Sequence, residues 1–323
     1  MTSIKDSRTF DLSNKPRTTY VGAKTGQRDR MQLFRTILVV CEEAGVAAGL
    51  VARVRRLASA EGASVILLAI PQSGAPSADT HSDRIDMTRL DVPARSLRAA
   101  GLEVVLAVAG GSDTNASIRH VLTFGSDLVV TESGPSDLSL LRHCPCPVWI
   151  VADNEREQGA GLLAVVDPDP EDPVRDVLNR RVLRIANALA ETAGAPLDVL
   201  SVWHLPEEAA LRHSLVRNRP EEVDRVMAAE ERQSAWRLGL LMRDFAGFSD
   251  RMTVHHRKGV ASEIIPQIAG LRGVDTIVIG AIARSDKRGP FVGKTAETIL
   301  GSVGCSVLTV KPEGFVSPVE LET

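Results

Sequence analysis

Five short apolar runs occur in the first half of this chain and recur, in the same order, in the second. The first set falls at 37–41, 65–70, 103–108, 127–131 and 148–151, and the second at 162–167, 197–203, 252–256, 276–280 and 306–310. Most are continuous Val, Ile and Leu rather than alternating, the pattern of strands covered on both faces in a parallel sheet. Parallel neighbours need a crossover long enough for a helix, and amphipathic stretches lie between the runs. Asp172 followed by Pro173 marks one helix start. Val174, Val177, Leu178, Val182, Ile185 and Leu189 then form an apolar stripe that Gly194 closes. The first half matches it with a helix over 44–60, ended by Gly62. Strand–helix alternation of this kind joins right-handedly. The expected fold class is α/β: two tandem, doubly wound, parallel five-stranded sheets.

At 323 residues the chain has room for two domains, and a 44% hydrophobic content supplies two cores of ordinary size. The expected division is 34–152 and 160–315, joined by the polar stretch 152–161 and followed by a tail at 316–323. Residues 1–33 are rich in Ser, Thr, Lys and Arg and lack the apolar centre of a signal peptide, which predicts a disordered extension. Residues 204–251 are long for one connection. They predict a charged amphipathic helix over 221–245 whose apolar side carries Val223, Val226, Met227, Leu238, Leu241, Met242 and Phe245.

Composition removes several function classes. The net charge of -3 and the lack of a long basic block within the repeats argue against duplex nucleic acid. Aromatic residues at 3% argue against single-strand binding by stacking. No apolar run approaches the ~18–20 residues of a membrane-spanning helix. Cys41, Cys144, Cys146 and Cys305 read as small buried hydrophobes of a reducing compartment. Cys144-Pro145-Cys146 is a CxC pair without a second cluster to make a zinc site, and a redox role rests on exposure at a strand start.

In an open α/β sheet, ligands sit beyond the carboxyl ends of the strands at the topological switch point. The first strand of the second half ends at Asp167, a carboxylate able to accept hydrogen bonds from a base or ribose. The fourth ends at Gly280 and opens a long connection in which Gly293-Lys294-Thr295 precedes the next helix. Unpaired amides at that helix start suit a phosphate, and Lys294 and the Thr295 hydroxyl add charge and a donor. The stretch is no Walker A loop, because Arg288 stands where that motif requires glycine. Between the fourth and fifth strands the first half has 15 residues (132–146) against 25 (281–305) in the second. Fifteen leave room for a short helix over 137–143 and no extended loop as well. The first-half counterpart of Asp167 is read as Cys41, so this half is degenerate by length and by composition. His255 and His256 are adjacent on a strand and point to opposite faces, which argues against a shared metal. The run Asp167, Asp169, Glu171, Asp172 suits a helix start, its later members through the helix dipole.

The second half resembles the universal stress protein family. That family's nucleotide loop follows a strand ending in glycine and reads Gly-x2-Gly-x9-Gly-Ser/Thr; here the stretch is Gly280-x2-Ala283-x9-Gly293-Lys294. The flanks are similar too, with Asp275-Thr-Ile-Val-Ile-Gly280-x3-Arg284 before it and Cys305-x-Val-Leu-Thr-Val-Lys-Pro312 after it. The doubled layout, with Leu141-Arg-His-Cys-Pro-Cys-Pro-Val148 closing the first half, resembles the tandem members. The resemblance covers about 34–320. It implies an adenine-nucleotide alpha-hydrolase-like fold whose halves pack as a pseudo-dimer through their fifth strands. It also implies a cytoplasmic, non-enzymatic stress-response protein. Its small-molecule ligand would be ATP or another adenine nucleotide, with or without Mg²⁺. Asp167 would take the base or ribose side, and Gly280, Ala283, Arg284, Gly293, Lys294 and Thr295 the phosphate side. Two departures stand out: Ala283 replaces a glycine, and Lys294 replaces a small hydroxyl residue. The first half would be structural or take something apolar, and a further homo-dimer is left open. Two other readings remain: a scaffold or apolar-ligand binder that has lost nucleotide binding, and a slow ATPase or phosphotransferase. The last needs a base and a metal clamp, and the sequence assigns neither.

Overall fold

The computed structural model describes residues 32–41, 45–70, 88–109, 115–134, 137–152, 161–205, 208, 220–281 and 294–321. The expected extension lies outside these except for its last two residues, and most of the linker over 152–161 lies outside as well. Gln32 and Leu33 are already tied down. The Gln32 amide donates to the Glu61 carbonyl at 2.9 Å, and the Leu33 N–H donates to the Glu61 carboxylate at 2.7 Å.

The first half runs β1 (Thr36–Cys41), α1 (Ala48–Glu61), β2 (Ser64–Ala69), α2 (Thr88–Ala99), β3 (Val104–Val108), α3 (Ala116–Phe124), β4 (Leu128–Glu132), α4 (Asp137–His143) and β5 (Val148–Val151). The second runs β6 (Leu162–Val166), α5 (Pro173–Ala193), β7 (Leu197–Trp203), α6 (Pro220–Arg243), a 3₁₀ turn (Ala246–Arg251), β8 (Met252–Lys258), α7 (Ala261–Arg272), β9 (Thr276–Gly280), α8 (Lys294–Ser302) and β10 (Ser306–Val310). All ten expected strands form, within two residues at each end. The short helix expected over 137–143 forms as α4. Asp172 caps α5 by accepting from the Arg175 N–H, Pro173 follows it, and Gly194 closes the helix in the left-handed conformation at φ 63.

The strands make one ten-stranded sheet in the order β3-β2-β1-β4-β5-β10-β9-β6-β7-β8. Every neighbouring pair is parallel except β5 and β10, which meet antiparallel with Val307 opposite Ile150, Leu308 opposite Trp149 and Thr309 opposite Val148. Trp149 and Leu308 hold equivalent places in the two repeats, so each strand meets its own counterpart about a pseudo-twofold axis, as in an isologous dimer. The cores differ from the expected pair. One apolar layer lies under α1, α2, α5 and α6 and a second under α3, α4, α7 and α8, and each contains residues of both halves. The sheet is continuous through the seam, so its two faces, rather than its two halves, divide the core.

The stripes are narrower than expected. Val174 and Val177 of α5 are exposed, as is Val226 of α6, while Val223, Met227, Leu238, Leu241 and Met242 are buried. A helix lying on a sheet covers only part of its circumference, and these valines sit at the edge of that arc.

Candidate functional site

β6 and β9 are neighbours, and so are β1 and β4. These two junctions are the switch points, where each half's connections depart to opposite faces. At the second, β6 stops at Val166 and Asp167 follows at its carboxyl edge. The buried side chain of Asn179 on α5 holds that residue's backbone from both sides. Its Oδ1 accepts from the Asp167 N–H at 3.0 Å, and its Nδ2 donates to the Asp167 carbonyl at 2.8 Å. The ladder's hydrogen bonds end here, and the asparagine supplies replacements. The Asp167 side chain remains 49% exposed.

Arg175, in the first turn of α5, gathers the acidic run. Its Nη1 lies 3.2 Å from Asp169 and 3.7 Å from Asp167, and its Nη2 lies 3.5 Å from Asp172. The contact to Asp167 is beyond hydrogen-bonding length and the one to Asp169 is within it. Sequence reading missed both Arg175 and Asn179. Their signal was spacing, because the first two turns of a helix that follows a strand lie over that strand's carboxyl end.

Gly280 ends β9 at the same edge, and its φ lies outside the left-handed region. A Cβ there would sit 2.6 Å from Leu178 Cδ2. The close approach that glycine permits is therefore to α5. Lys294 and Thr295 open α8, as expected. Ala283, Arg284 and Gly293 lie outside the described residues.

The strand register corrects the comparison between halves. The Asp127 N–H donates to the Thr36 carbonyl, and the Asp275 N–H to the Gly161 carbonyl, at 2.9 and 2.8 Å. Ile37 pairs with Leu128 as Leu162 pairs with Thr276. Cys41 is thus the counterpart of Val166, not of Asp167, and both point into the same apolar layer. The counterpart of Asp167 is Glu42, which lies outside the described residues. Cys41 is fully buried, and burial pushes its thiol up to about 12. In the same register Glu132 is the counterpart of Gly280. Its carboxylate crosses to accept the Ala47 N–H at the start of α1. The start of α4, the first-half counterpart of α8, carries Asp137, whose carboxylate accepts from the Ser133 hydroxyl and the Gly134 N–H at 3.0 Å. The connections keep their unequal lengths: 133–147 between β4 and β5, and 281–305 between β9 and β10.

Other polar groups serve packing. Asp198 is buried, which alone would raise its pKa. Hydrogen bonds from His255 at 2.7 Å and Arg272 at 3.0 Å outweigh that and hold it below the usual carboxylate range. His256 bonds Ser234 at 3.0 Å and stacks on Trp203, so the two histidines keep separate partners. Among the described residues, no group of three or more His, Cys, Asp or Glu is placed to hold a metal.

Residues 173–311 match the model of the universal stress protein family. Universal stress protein E of Escherichia coli (strain K12) is 28% identical over 229 residues, covering 64% of this chain and 67% of that protein. Over its second half the chain is similar to the universal stress protein family. The Salmonella typhi universal stress protein E is 27% identical over 233 residues, 68% of each chain. Among solved structures, a functionally unknown protein from Pseudomonas aeruginosa PAO1 matches with a TM-score of 0.64 and 26% identity, covering 88% of this chain and 94% of that one. A universal stress protein from Archaeoglobus fulgidus DSM 4304 shares the fold at a TM-score of 0.52 and 13% identity, covering 85% of this chain and 96% of that one. The family model begins at the residue after Asp172 and leaves the first half outside its span. Among the described residues, no helix is long and apolar enough to cross a membrane.

Proposed function

We propose that this protein binds an adenine nucleotide, ATP foremost, at the switch point of its second half, and acts as a non-enzymatic ligand-binding module. The observation that carries this reading is Asp167. Its carboxylate is half exposed, and Asn179 fixes its backbone at the end of β6, beside the strand that launches the long 281–305 connection. A carboxylate held there accepts hydrogen bonds from ribose hydroxyls or a base amine without ordering itself on binding. The phosphates would run toward α8, where Lys294 and Thr295 open the helix, and Ala283, Arg284 and Gly293 would belong to the approach. Mg²⁺ would accompany the phosphates if it binds. The first half, with Asp137 at the start of α4 and a short β4–β5 connection, takes a supporting role. The protein would act within the cytoplasm, and as a single chain it already holds the two-repeat arrangement.

Thermal unfolding with ATP, ADP and AMP, with and without Mg²⁺, tests the reading, since a ligand of the folded state raises its stability. Asp167→Ala should weaken binding by about 10- to 100-fold, the loss of a charged hydrogen-bond partner. No shift at millimolar ATP would remove the nucleotide and leave the scaffold reading. Steady phosphate release would instead make the protein an enzyme.

A further inference from the structure

The CxC pair stands apart from the nucleotide reading. Cys144 and Cys146 lie between α4 and β5, at the seam of the two halves, with Sγ atoms 3.5 Å apart. Both are buried, as expected of small buried hydrophobes, so a redox role cannot rest on exposure; Cys146 is the outer one at 9%, against 0% for Cys144. Pro145 between them fixes the bend that turns both sulfurs to one side. The cation beside them comes from the other half of the chain. Lys311 follows β10 and is 1% exposed, its ammonium donating to the Leu141 carbonyl and lying 4.7 Å from the centre of the Phe315 ring. A buried lysine is costly unless something nearby carries negative charge. Leu141 offers a carbonyl and Phe315 a ring face; the Glu297 carboxylate, which Arg142 also holds, and the two cysteine sulfurs are the acidic groups whose charge acts on it.

We propose that Cys144 and Cys146 are a redox-active dithiol, converted by peroxide to an intrachain disulfide, with Lys311 as the cation that supports the attacking thiolate. The hydrogen bond from Cys146 and the charge of Lys311 lower the Cys144 thiol against the opposing effect of burial, whereas Cys146 is raised by the same bond and by burial. Of the two thiols, Cys144 is the one that gives up its proton more readily. The Cys144 thiolate attacks one peroxide oxygen; an S–O bond forms and the O–O bond breaks. The departing hydroxide takes up the proton Cys144 had released, giving water. The Cys146 sulfur then attacks the sulfenic sulfur; the S–S bond forms and the S–O bond breaks, and the hydroxyl leaves with the Cys146 proton as a second water. Two electrons pass from the thiols to the peroxide. The sulfurs need approach by only about 1.5 Å, given a disulfide bond of roughly 2.05 Å.

The test uses the reduced full-length protein, hydrogen peroxide, alkylation of the remaining thiols and peptide mass analysis. The peptide carrying both cysteines should lose two hydrogens and recover them with a thiol reductant, while Cys41 and Cys305 stay alkylatable. Lys311→Met should slow the loss by roughly tenfold, the factor for one unit of thiol pKa. Cys146→Ser should instead leave a sulfenic acid on Cys144 that dimedone traps. The proposal is overturned if both thiols persist in the native protein and close only after unfolding. It is equally overturned if each sulfur gains oxygen separately, or if a folded Lys311→Met variant oxidises at the wild-type rate.

Discussion

Lys311 shows how one residue can be prominent in a sequence and still hide its consequence. It ends the last strand motif, where a lysine normally snorkels to solvent. Here Phe315 and α4 close over it, and burial lowers its pKa from 10.5 to about 8. Below pH 8 folded and unfolded chains both carry the proton, so the folded state bears the full cost of a buried charge. Between about 8 and 10.5 the unfolded chain keeps the proton that the folded one has shed. Stability should therefore rise with pH through that window, by up to about 3 kcal/mol. Urea unfolding on either side of the window should show the rise in wild type and not in Lys311→Met; parallel pH profiles for the two would contradict it. Asp167 was legible because an acid at the end of an apolar run is conspicuous. Asn179 and Arg175 were not, because their role depends on how a helix lies over a strand end. The reading of Cys41 failed for a similar reason: run lengths suggest an alignment of the repeats, and only the hydrogen-bond register fixes it.

Among the elements, strands were the easiest to read, because a doubly covered strand must be apolar at every position and turn residues bound it. The helices were legible through Asp172, Pro173 and the closing glycines. Their buried arcs were not, since Val174, Val177 and Val226 fit a stripe yet lie outside the contact with the sheet. The packing of α5 on β9 gives a quantitative test. Gly280→Ala would bring a Cβ against Leu178, at a cost of about 1–3 kcal/mol for overpacking. The cost should shrink in a Leu178→Ala background, because the two residues compete for one volume. Equal costs in both backgrounds, measured by denaturant unfolding, would assign Gly280 to ligand approach instead.

Across the whole molecule, duplication and asymmetry act together. Both repeats place an aspartate after a left-handed helix-closing glycine, Gly125 with Asp127 and Gly273 with Asp275. Asp127 accepts the N–H groups of Arg35 and Thr36 in its own half, at 2.8 and 3.0 Å. Asp275 instead takes a two-pronged contact from Arg53 of the first half. Arg142 of α4 likewise reaches Glu297 of α8 at 2.8 and 3.0 Å, so the first half holds the helix that opens with Lys294 and Thr295. Such cross-links explain a first half kept as a support for the second. The doubling itself was plain in the sequence; the seam contacts were not, since they join residues more than 150 positions apart. The most direct test of this division of labour is calorimetric titration of the full chain with ATP in the presence of Mg²⁺. One saturable site per chain, weakened by Asp167→Ala, is the predicted result; two sites, or none at millimolar ATP, would contradict it.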